Sequence, residues 1–250
     1  MFLAFIVFSS VFFVQRFSRF IWPVFQGVIL TACLAVLLRE GYPARLLRTL
    51  TGTPTPVTQT AHYREMQAIH VRRLQQITAD SPVQIGFAGD SIIEGWLTSA
   101  HIPASINLGV GRDTIDGLLA RITPQTVQQV PVWYLAIGIN DVLSGHDPAS
   151  LPDQITRLAA RFGPAQQLIW RETLPVVRPD WSDGQEAHRQ TLNAQIRTAC
   201  ARLPNCIFLP APEGYSPQYG TSDGLHPNAT GYAALTRQLR QLIPLQMPSS

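Results

Sequence analysis

Short apolar segments with the length of β-strands alternate with segments of helical periodicity over most of this 250-residue chain. The alternation predicts a parallel sheet, because strands covered by helices on both faces read as continuous apolar runs. We therefore expect an α/β fold with a five-stranded parallel sheet between two layers of helices. The predicted strands are Val83–Ala88, Ser105–Leu108, Val132–Ile137, Gln167–Arg171 and Cys206–Leu209, and the predicted helices are 61–79, 113–121, 151–162, 185–202 and 229–242.

Polar motifs follow the first three predicted strands, and another precedes the last helix. Ser91 follows the first strand, Gly109–Asp113 the second and Asn140 the third, while Asp223 and His226 lie just before the final helix. In open parallel sheets the reacting groups gather outside the carboxyl ends of the strands. We therefore expect these side chains to meet at one edge of the sheet.

The residue types in these motifs are those that acyl transfer needs. Ser91 is the candidate nucleophile and His226 the candidate base, with Asp223 to fix the imidazole tautomer. The side-chain amide of Asn140 and the backbone N–H of Ser91 are candidate donors to the oxyanion. Taken singly, Ser91 is equally well explained as a helix cap and Asn140 as a turn residue, so the prediction depends on the ordered set.

The chain from about residue 82 to residue 242 resembles the SGNH hydrolases, the superfamily of GDSL-type esterases and lipases. The resemblance implies a flavodoxin-like three-layer α/β/α sandwich and a catalytic triad of Ser91, Asp223 and His226. It does not extend to the first sixty residues. The four motifs that carry it are GDSI (89–92), NLGVGRD (107–113), GIND (138–141) and DGLHPN (223–228).

The second motif departs from the family pattern at one position. The family usually has a glycine directly before the aspartate, and its N–H donates to the oxyanion, whereas this chain has Arg112 before Asp113. An arginine keeps the N–H, so Arg112 remains a candidate donor if the backbone there does not require glycine. A shifted loop with Gly111 as the donor is the alternative.

The N-terminal residues 1–48 are predicted to form a membrane anchor. Residues 21–38 read IWPVFQGVILTACLAVLL, a run without charge that is long enough to cross a bilayer as a helix. The alternatives are a buried helix of a soluble core, a cleaved signal peptide, and lipoprotein processing at Cys33.

The charges that flank this run leave its orientation open. Arg16 and Arg19 before it favour an extracytoplasmic C-terminal domain, whereas Arg39, Arg45 and Arg48 after it favour the opposite. We expect the domain to lie outside the cytoplasm, in the periplasm.

A linker and a catalytic domain are predicted after the anchor. Residues 49–60 are rich in Thr and Pro and carry no charge, which is typical of an extended tether, and residues 61–250 form the predicted hydrolase domain. Cys200 and Cys206 are close enough in sequence to form a disulfide in an oxidising compartment, although two buried thiols explain them equally well.

Charge and motif content argue against several other functions. The chain has no lysine and a net charge of +3. Residues 1–60 hold +4 of it, which leaves the rest of the chain near −1. We therefore expect no nucleic-acid partner. The His and Cys spacing predicts no metal site, and the chain lacks a dinucleotide fingerprint, so we expect no cofactor.

These observations predict a membrane-tethered serine esterase that hydrolyses short-chain O-acyl esters such as acetyl esters. The expected partner is a small-molecule, glycan or lipid ester, and Trp181 is the candidate for a substrate-side loop. One alternative is an O-acyltransferase that uses the same triad on a cell-surface glycan. Another is a catalytically silent domain that binds glycan or lipid.

Overall fold

The computed structural model describes residues 26–39, 43, 55–216 and 220–243. The chain divides between Thr55 and Pro56 into two units, each of which is described by itself. The first unit contains a helix over residues 26–39.

Most side chains of this N-terminal helix are apolar, and they are exposed, with Val28 at 62% and Leu30 at 69% of full exposure. Among the described residues, no helix has both the length and the apolar character that crossing a bilayer requires. Residues 21–25 of the transmembrane segment predicted over 21–38 lie outside the described part of the chain.

The second unit is built from alternating strands and helices, which follow a short 3-10 turn at Val57–Gln59. The strands are β1 (Ile85–Gly89), β2 (Ser105–Gly109), β3 (Val132–Ala136), β4 (Gln167–Arg171) and β5 (Cys206–Leu209). The helices are α1 (Ala61–Gln75), α2 (Ser91–Glu94), α3 (Thr98–His101), α4 (Ile115–Arg121), α5 (Pro124–Gln128), α6 (Ile139–Leu143), α7 (Leu151–Ala159), α8 (Asp183–Ala201) and α9 (Ala229–Leu242).

Within the described residues, five strands form one parallel sheet in the order β2-β1-β3-β4-β5. The predicted fold class is confirmed, and every predicted strand is present within two residues of its expected bounds. Helix α1 ends earlier than the predicted 61–79, because Thr78 and Ser81 bridge to each other and close a turn after Gln75.

Alternate residues of the strands face two separate apolar cores, which makes the unit a three-layer sandwich. Trp133 and Leu135 of β3 pack with α4, α7 and α8 on one face of the sheet. Tyr134 and Ala136 pack with α2 and α9 on the other face. Because these strands are buried on both faces, their sequences are continuously apolar, and this is the pattern that made them predictable.

The second unit also contains a disulfide and the last residues of the predicted linker. Cys200 at the end of α8 and Cys206 at the start of β5 form a disulfide, so the pairing that the sequence left open is present. The last residues of the predicted linker belong to the domain, because Val57 is half-buried and Tyr63 Oη donates to the carbonyl of Gly117 on α4 at 2.7 Å.

Candidate active site

The three predicted triad residues lie in hydrogen-bonding series. Ser91 Oγ is 2.8 Å from His226 Nε2, and His226 Nδ1 is 2.8 Å from Asp223 Oδ2. The second Asp223 oxygen accepts the backbone N–H groups of His226 and Leu225 at 2.8 and 3.0 Å. Partial burial alone would raise the pKa of Asp223, but the hydrogen bonds from His226 and Leu225 outweigh it and lower the pKa to about 2. Asp223 is therefore ionised at neutral pH and orients the imidazole.

The turn from β1 into α2 fixes the position of Ser91. Asp90 caps α2 and accepts the Ile92 N–H at 3.0 Å, and the helix begins at Ser91, whose own N–H therefore has no acceptor within the helix. Complete burial raises the pKa of Asp90 to about 7, while the Ile92 N–H lowers it. Asp90 is thus the N-cap of α2, directly before Ser91.

The loop that carries Asp223 and His226 is closed on itself and anchored to its neighbours. Thr221 and Pro227 form a bridge at its base. The Val177 N–H donates to the Gly224 carbonyl at 2.8 Å, which attaches the loop to the segment after β4. The backbone on both sides of His226 is therefore anchored, and the side chain of His226 is 36% exposed.

A small apolar cluster joins three of the loops around the site. Ile139 follows β3, Val176 follows β4 and Leu225 belongs to the Asp223–His226 loop, and all three are buried against one another. Trp181 packs on this cluster, and its Nε1 donates to Glu186 Oε2 at 3.2 Å. Trp181, the residue predicted for a substrate-side loop, is thus half-buried against the loops of the candidate site.

Asn140 lies at the end of β3, where the chain turns into α6. Gly138 has φ 119° at the cap of this helix, a conformation that other residues rarely adopt, and its position sets where the helix begins. Asn140 Nδ2 donates one hydrogen to the carbonyl of Asp113 at 2.8 Å. A primary amide has two hydrogens, so the second remains for a ligand.

The turn after β2 carries the two candidate donors that the sequence left open, Gly111 and Arg112. Val110 and Asp113 close it through an Asp113 N–H to Val110 carbonyl bond of 3.1 Å. The Gly111 N–H donates to the Glu94 carboxylate, so it is not free to meet an oxyanion. Arg112 has φ 64°, the left-handed conformation in which glycine is usual, and within the described residues its N–H has no acceptor. The Gly111 alternative is therefore disfavoured by the contact with Glu94.

Buried charges lie behind these loops. Asp113 pairs with Arg121, with Arg121 Nε 2.8 Å from Asp113 Oδ2, and burial raises the pKa of Asp113 to about 6 while Arg121 lowers it. Asp141 accepts the Ile115 N–H at 3.1 Å and lies 3.1 Å from His146 Nδ1. The hydrogen bond to Asp141 raises the pKa of His146. These groups fix loops and do not face the triad.

Sequence reasoning missed several residues that position the site. Glu94 lies three positions after Ser91 and binds the neighbouring turn, and Arg121 holds Asp113. The Tyr232 hydroxyl donates to the Ile92 carbonyl at 2.9 Å, which ties α9, next to His226, to α2, which carries Ser91. No motif marks these residues, because each acts through one contact between distant segments.

Metal chemistry has no evident ligand set here. Among the residues that the structure describes, no group of three or more His, Cys, Asp or Glu side chains is arranged to hold a metal ion. A serine hydrogen-bonded to an imidazole, with N–H donors nearby, is an arrangement that can support attack on an acyl carbonyl.

Comparison with known families agrees with this geometry. Residues 87–234, more than half of the chain, match the model of the GDSL-like lipase/acylhydrolase family. The match spans the strands and all four motifs, from β1 to α9. A search of curated proteins finds no significant match.

Several solved structures share the fold. A Streptococcus pneumonia protein, provisionally named a platelet activating factor, is 20% identical with a TM-score of 0.59, covering 84% of this chain and 98% of its own. A GDSL-like lipase from Bacteroides thetaiotaomicron is 21% identical with a TM-score of 0.57, covering 72% and 98%. A catalytic mutant of an acetylxylan esterase from Geobacillus stearothermophilus is 19% identical with a TM-score of 0.52, covering 68% and 98%. At these identities the likeness concerns the fold.

Proposed function

We propose that Ser91 is the nucleophile of a serine esterase. The proposal starts from the family, because this chain belongs to the GDSL-like lipase/acylhydrolase family and is a carboxylic-ester hydrolase. The observation that carries the proposal is the series of two 2.8 Å contacts, from Ser91 Oγ to His226 Nε2 and from His226 Nδ1 to Asp223 Oδ2. A serine hydroxyl becomes an effective nucleophile when a positioned base takes its proton, and this series supplies that base.

Acylation follows from the positions of these groups. Ser91 Oγ attacks the ester carbonyl carbon while its proton passes to His226 Nε2. The negative charge that develops on the carbonyl oxygen is stabilised by the N–H groups of Ser91 and Arg112 and by the second amide hydrogen of Asn140. The tetrahedral intermediate then loses the alkoxide, which leaves as an alcohol with the proton from His226. Asp223 stabilises the imidazolium between these two transfers.

Deacylation repeats the sequence with a second acceptor. A water molecule gives its proton to His226 and attacks the acyl carbonyl, and the acid leaves as Ser91 recovers its proton. The side chain of His226 is 36% exposed and that of Asp223 is 53% exposed, so water reaches the base. Transfer to a glycan requires that water be excluded from the acyl-enzyme, and this exposure favours hydrolysis.

The proposed substrate is a short-chain O-acyl ester, such as an acetyl ester, on a polar alcohol. An exposed base at the sheet edge leaves room for a bulky alcohol such as a sugar. The solved structure of an acetylxylan esterase, with a TM-score of 0.52, has the same fold and supports an acetyl group as the first candidate. A silent binding domain is the weaker alternative, because such a domain has no need of a hydrogen-bonded Ser91, His226 and Asp223.

We also propose that the enzyme is attached to a membrane and that its domain lies outside the cytoplasm. Residues 21–38 carry no charge, and the side chains of the N-terminal helix over 26–39 are exposed although they are apolar. The disulfide between Cys200 and Cys206 supports an oxidising compartment. Retention of the full chain in the membrane fraction after alkaline carbonate extraction tests the attachment, and complete release would refute it.

Ester hydrolysis by the full chain tests the proposed reaction. The substrates are p-nitrophenyl acetate, butyrate and octanoate, and the matched control for Ser91→Ala is Ser99→Ala, which changes an exposed serine on α3. We expect turnover that decreases with acyl length, and a loss of roughly a thousandfold or more in Ser91→Ala only. Turnover that survives in Ser91→Ala would refute the nucleophile. A single burst followed by a stall would favour the acyltransferase.

A further inference from the structure

Glu94 connects the nucleophile helix to the turn beside it. Its carboxylate accepts the Gly111 N–H, and its Oε2 also lies 3.1 Å from Nε2 of His62 on α1. The side chain of Glu94 is 28% exposed and that of His62 is 49% exposed. The carboxylate therefore lies between two partners, one from the turn and one from the first helix of the domain.

The geometry of the turn explains what this contact does. Gly111 and Arg112 are its two central residues, and their N–H groups are the two candidates for an oxyanion donor. Since the Gly111 N–H is bound to Glu94, the Arg112 N–H is the donor that remains. A turn of this kind places φ above zero at its second central residue, which is the conformation of Arg112 at 64°.

The space around Gly111 indicates that the contact is tightly fitted. A Cβ atom at position 111 would lie 3.0 Å from Glu94 Oε2 and 3.4 Å from His62 Nε2. A Cβ atom there would require the Glu94 carboxylate to move by a few tenths of an ångström. The φ of Gly111 is not positive, so the close approach of Glu94 is the feature that favours glycine at this position.

We propose that Glu94 is a positioning residue, which holds the turn so that the Arg112 N–H faces the oxyanion, and that His62 keeps the Glu94 carboxylate in place. The proposal rests on the proposed esterase function of Ser91. The proposed role depends on one hydrogen bond, from the Gly111 N–H to a carboxylate oxygen of Glu94. A residue at position 94 can fill this role only if its side chain brings an acceptor oxygen to the Gly111 N–H.

Two substitutions of Glu94 separate this role from a general effect on folding. Glu94→Gln keeps an oxygen acceptor at the same reach, whereas Glu94→Ala removes it. Glu65→Ala is the matched control, because Glu65 is an exposed carboxylate on α1 without a partner among the described residues. In the full chain with p-nitrophenyl acetate, we expect Glu94→Ala to lower kcat by roughly 10- to 100-fold, less than the loss of a donor itself, with KM within about twofold.

Rescue decides the outcome. We expect Glu94→Gln to recover most of the lost kcat, and His62→Ala to give a smaller loss than Glu94→Ala, with all variants unfolding at urea midpoints near that of the parent. A kcat for Glu94→Ala within twofold of the parent would overturn the proposal, as would a Glu94→Gln variant as impaired as the alanine variant. A His62→Ala variant with the parent kcat would remove His62 from it.

A readout that needs no turnover distinguishes this proposal from the esterase function. In the full chain labelled with isotopic glycine, the Gly111 amide proton should resonate downfield, and its signal is assigned by its absence in Gly111→Ala. Glu94→Ala should move it upfield and Glu94→Gln should move it less. An unchanged Gly111 shift in Glu94→Ala refutes the contact. Absence of Ser91-dependent turnover with the expected shifts refutes the esterase function alone.

Discussion

Arg121 and Asp113 form a buried ion pair that connects three loops of the candidate site. The Asp113 carboxylate is fully buried, and its backbone carbonyl accepts the amide of Asn140. The guanidinium of Arg121 also donates to the carbonyls of Leu108 and Gly89, which lie at the ends of β2 and β1. The Arg121 guanidinium thus binds backbone carbonyls at the ends of two strands, β2 before the Gly111–Arg112 turn and β1 before Ser91.

Replacement of Arg121 by leucine should destabilise the protein strongly. The change leaves the Asp113 carboxylate buried without its cation, and breaking one side of a buried pair costs about 3–5 kcal/mol. The free energy of unfolding is measured by urea titration of the full chain. Adding Asp113→Asn to Arg121→Leu should recover part of the loss, because the uncompensated charge is removed. A loss below about 1 kcal/mol in Arg121→Leu would contradict this account of the pair.

Asn140→Ala should impair chemistry and leave binding nearly intact. The substitution removes the amide hydrogen that we propose as a donor to the oxyanion, a contact that would strengthen only in the transition state. We expect kcat for p-nitrophenyl acetate to fall about 10²- to 10³-fold, with KM changed by less than about threefold. Steady-state kinetics check the prediction. An increase in KM with unchanged kcat would mean that Asn140 binds the substrate in its ground state.

Arg112→Gly should stabilise the protein and keep its activity toward neutral esters. Glycine adopts φ 64° without strain, whereas a residue with a Cβ atom pays about 1 kcal/mol or more in this region. The backbone N–H remains in either case. Urea unfolding should report a gain of about 1 kcal/mol, and kcat for p-nitrophenyl acetate should stay near that of the parent. A large loss of kcat would show that the guanidinium takes part in the reaction.

His70→Leu should protect the protein against mild acid. His70 is buried on α1, neither ring nitrogen has a hydrogen-bond partner in the described residues, and burial, followed by Arg121 and Arg73, lowers its pKa to about 3. Below pH 6.5, the ordinary pKa of histidine, His70 becomes protonated in the unfolded chain but stays neutral in the folded protein. The parent therefore loses stability as the pH falls through this window.

His70→Leu lacks this proton uptake, so the difference in the free energy of unfolding between the variant and the parent should change with pH. We expect the stability of His70→Leu relative to the parent to increase by about 2 kcal/mol between about pH 6.5 and about pH 5. Urea unfolding at a series of pH values measures it. A stability difference that is independent of pH would mean that His70 takes up its proton in the folded protein as readily as in the unfolded chain.

The parts of the fold that the sequence predicts are those fixed by local pattern. The strand Gln167–Arg171 has the bounds that were predicted, because its centre, Leu168–Trp170, is apolar and buried on both faces of the sheet while polar residues mark its two ends. The ends of these strands also predicted which side chains converge. Ser91 and His226, 135 positions apart, were placed together by this reasoning alone, and their contact is 2.8 Å.

The parts that the sequence does not predict depend on single contacts between distant segments. Nothing in the motif around Gly111 reveals that its N–H donates to Glu94, so the sequence alone could not favour Arg112 over Gly111 as the candidate oxyanion donor. The pairing of Cys200 with Cys206 was equally open, because spacing alone does not fix the geometry of two sulfurs. The Pro-rich stretch around Trp181 suggested a substrate-side loop, but it did not predict that Trp181 packs on Ile139, Val176 and Leu225.

Covalent labelling tests the central claim, that Ser91 is activated by His226, most directly. The full chain is treated with a fluorophosphonate, and the adduct is located by mass spectrometry of its peptides. We predict one adduct on Ser91, no adduct in Ser91→Ala, and labelling slowed by roughly a hundredfold or more in His226→Ala. Equal labelling of Ser91→Ala and the parent, or an adduct on another residue, would contradict the account.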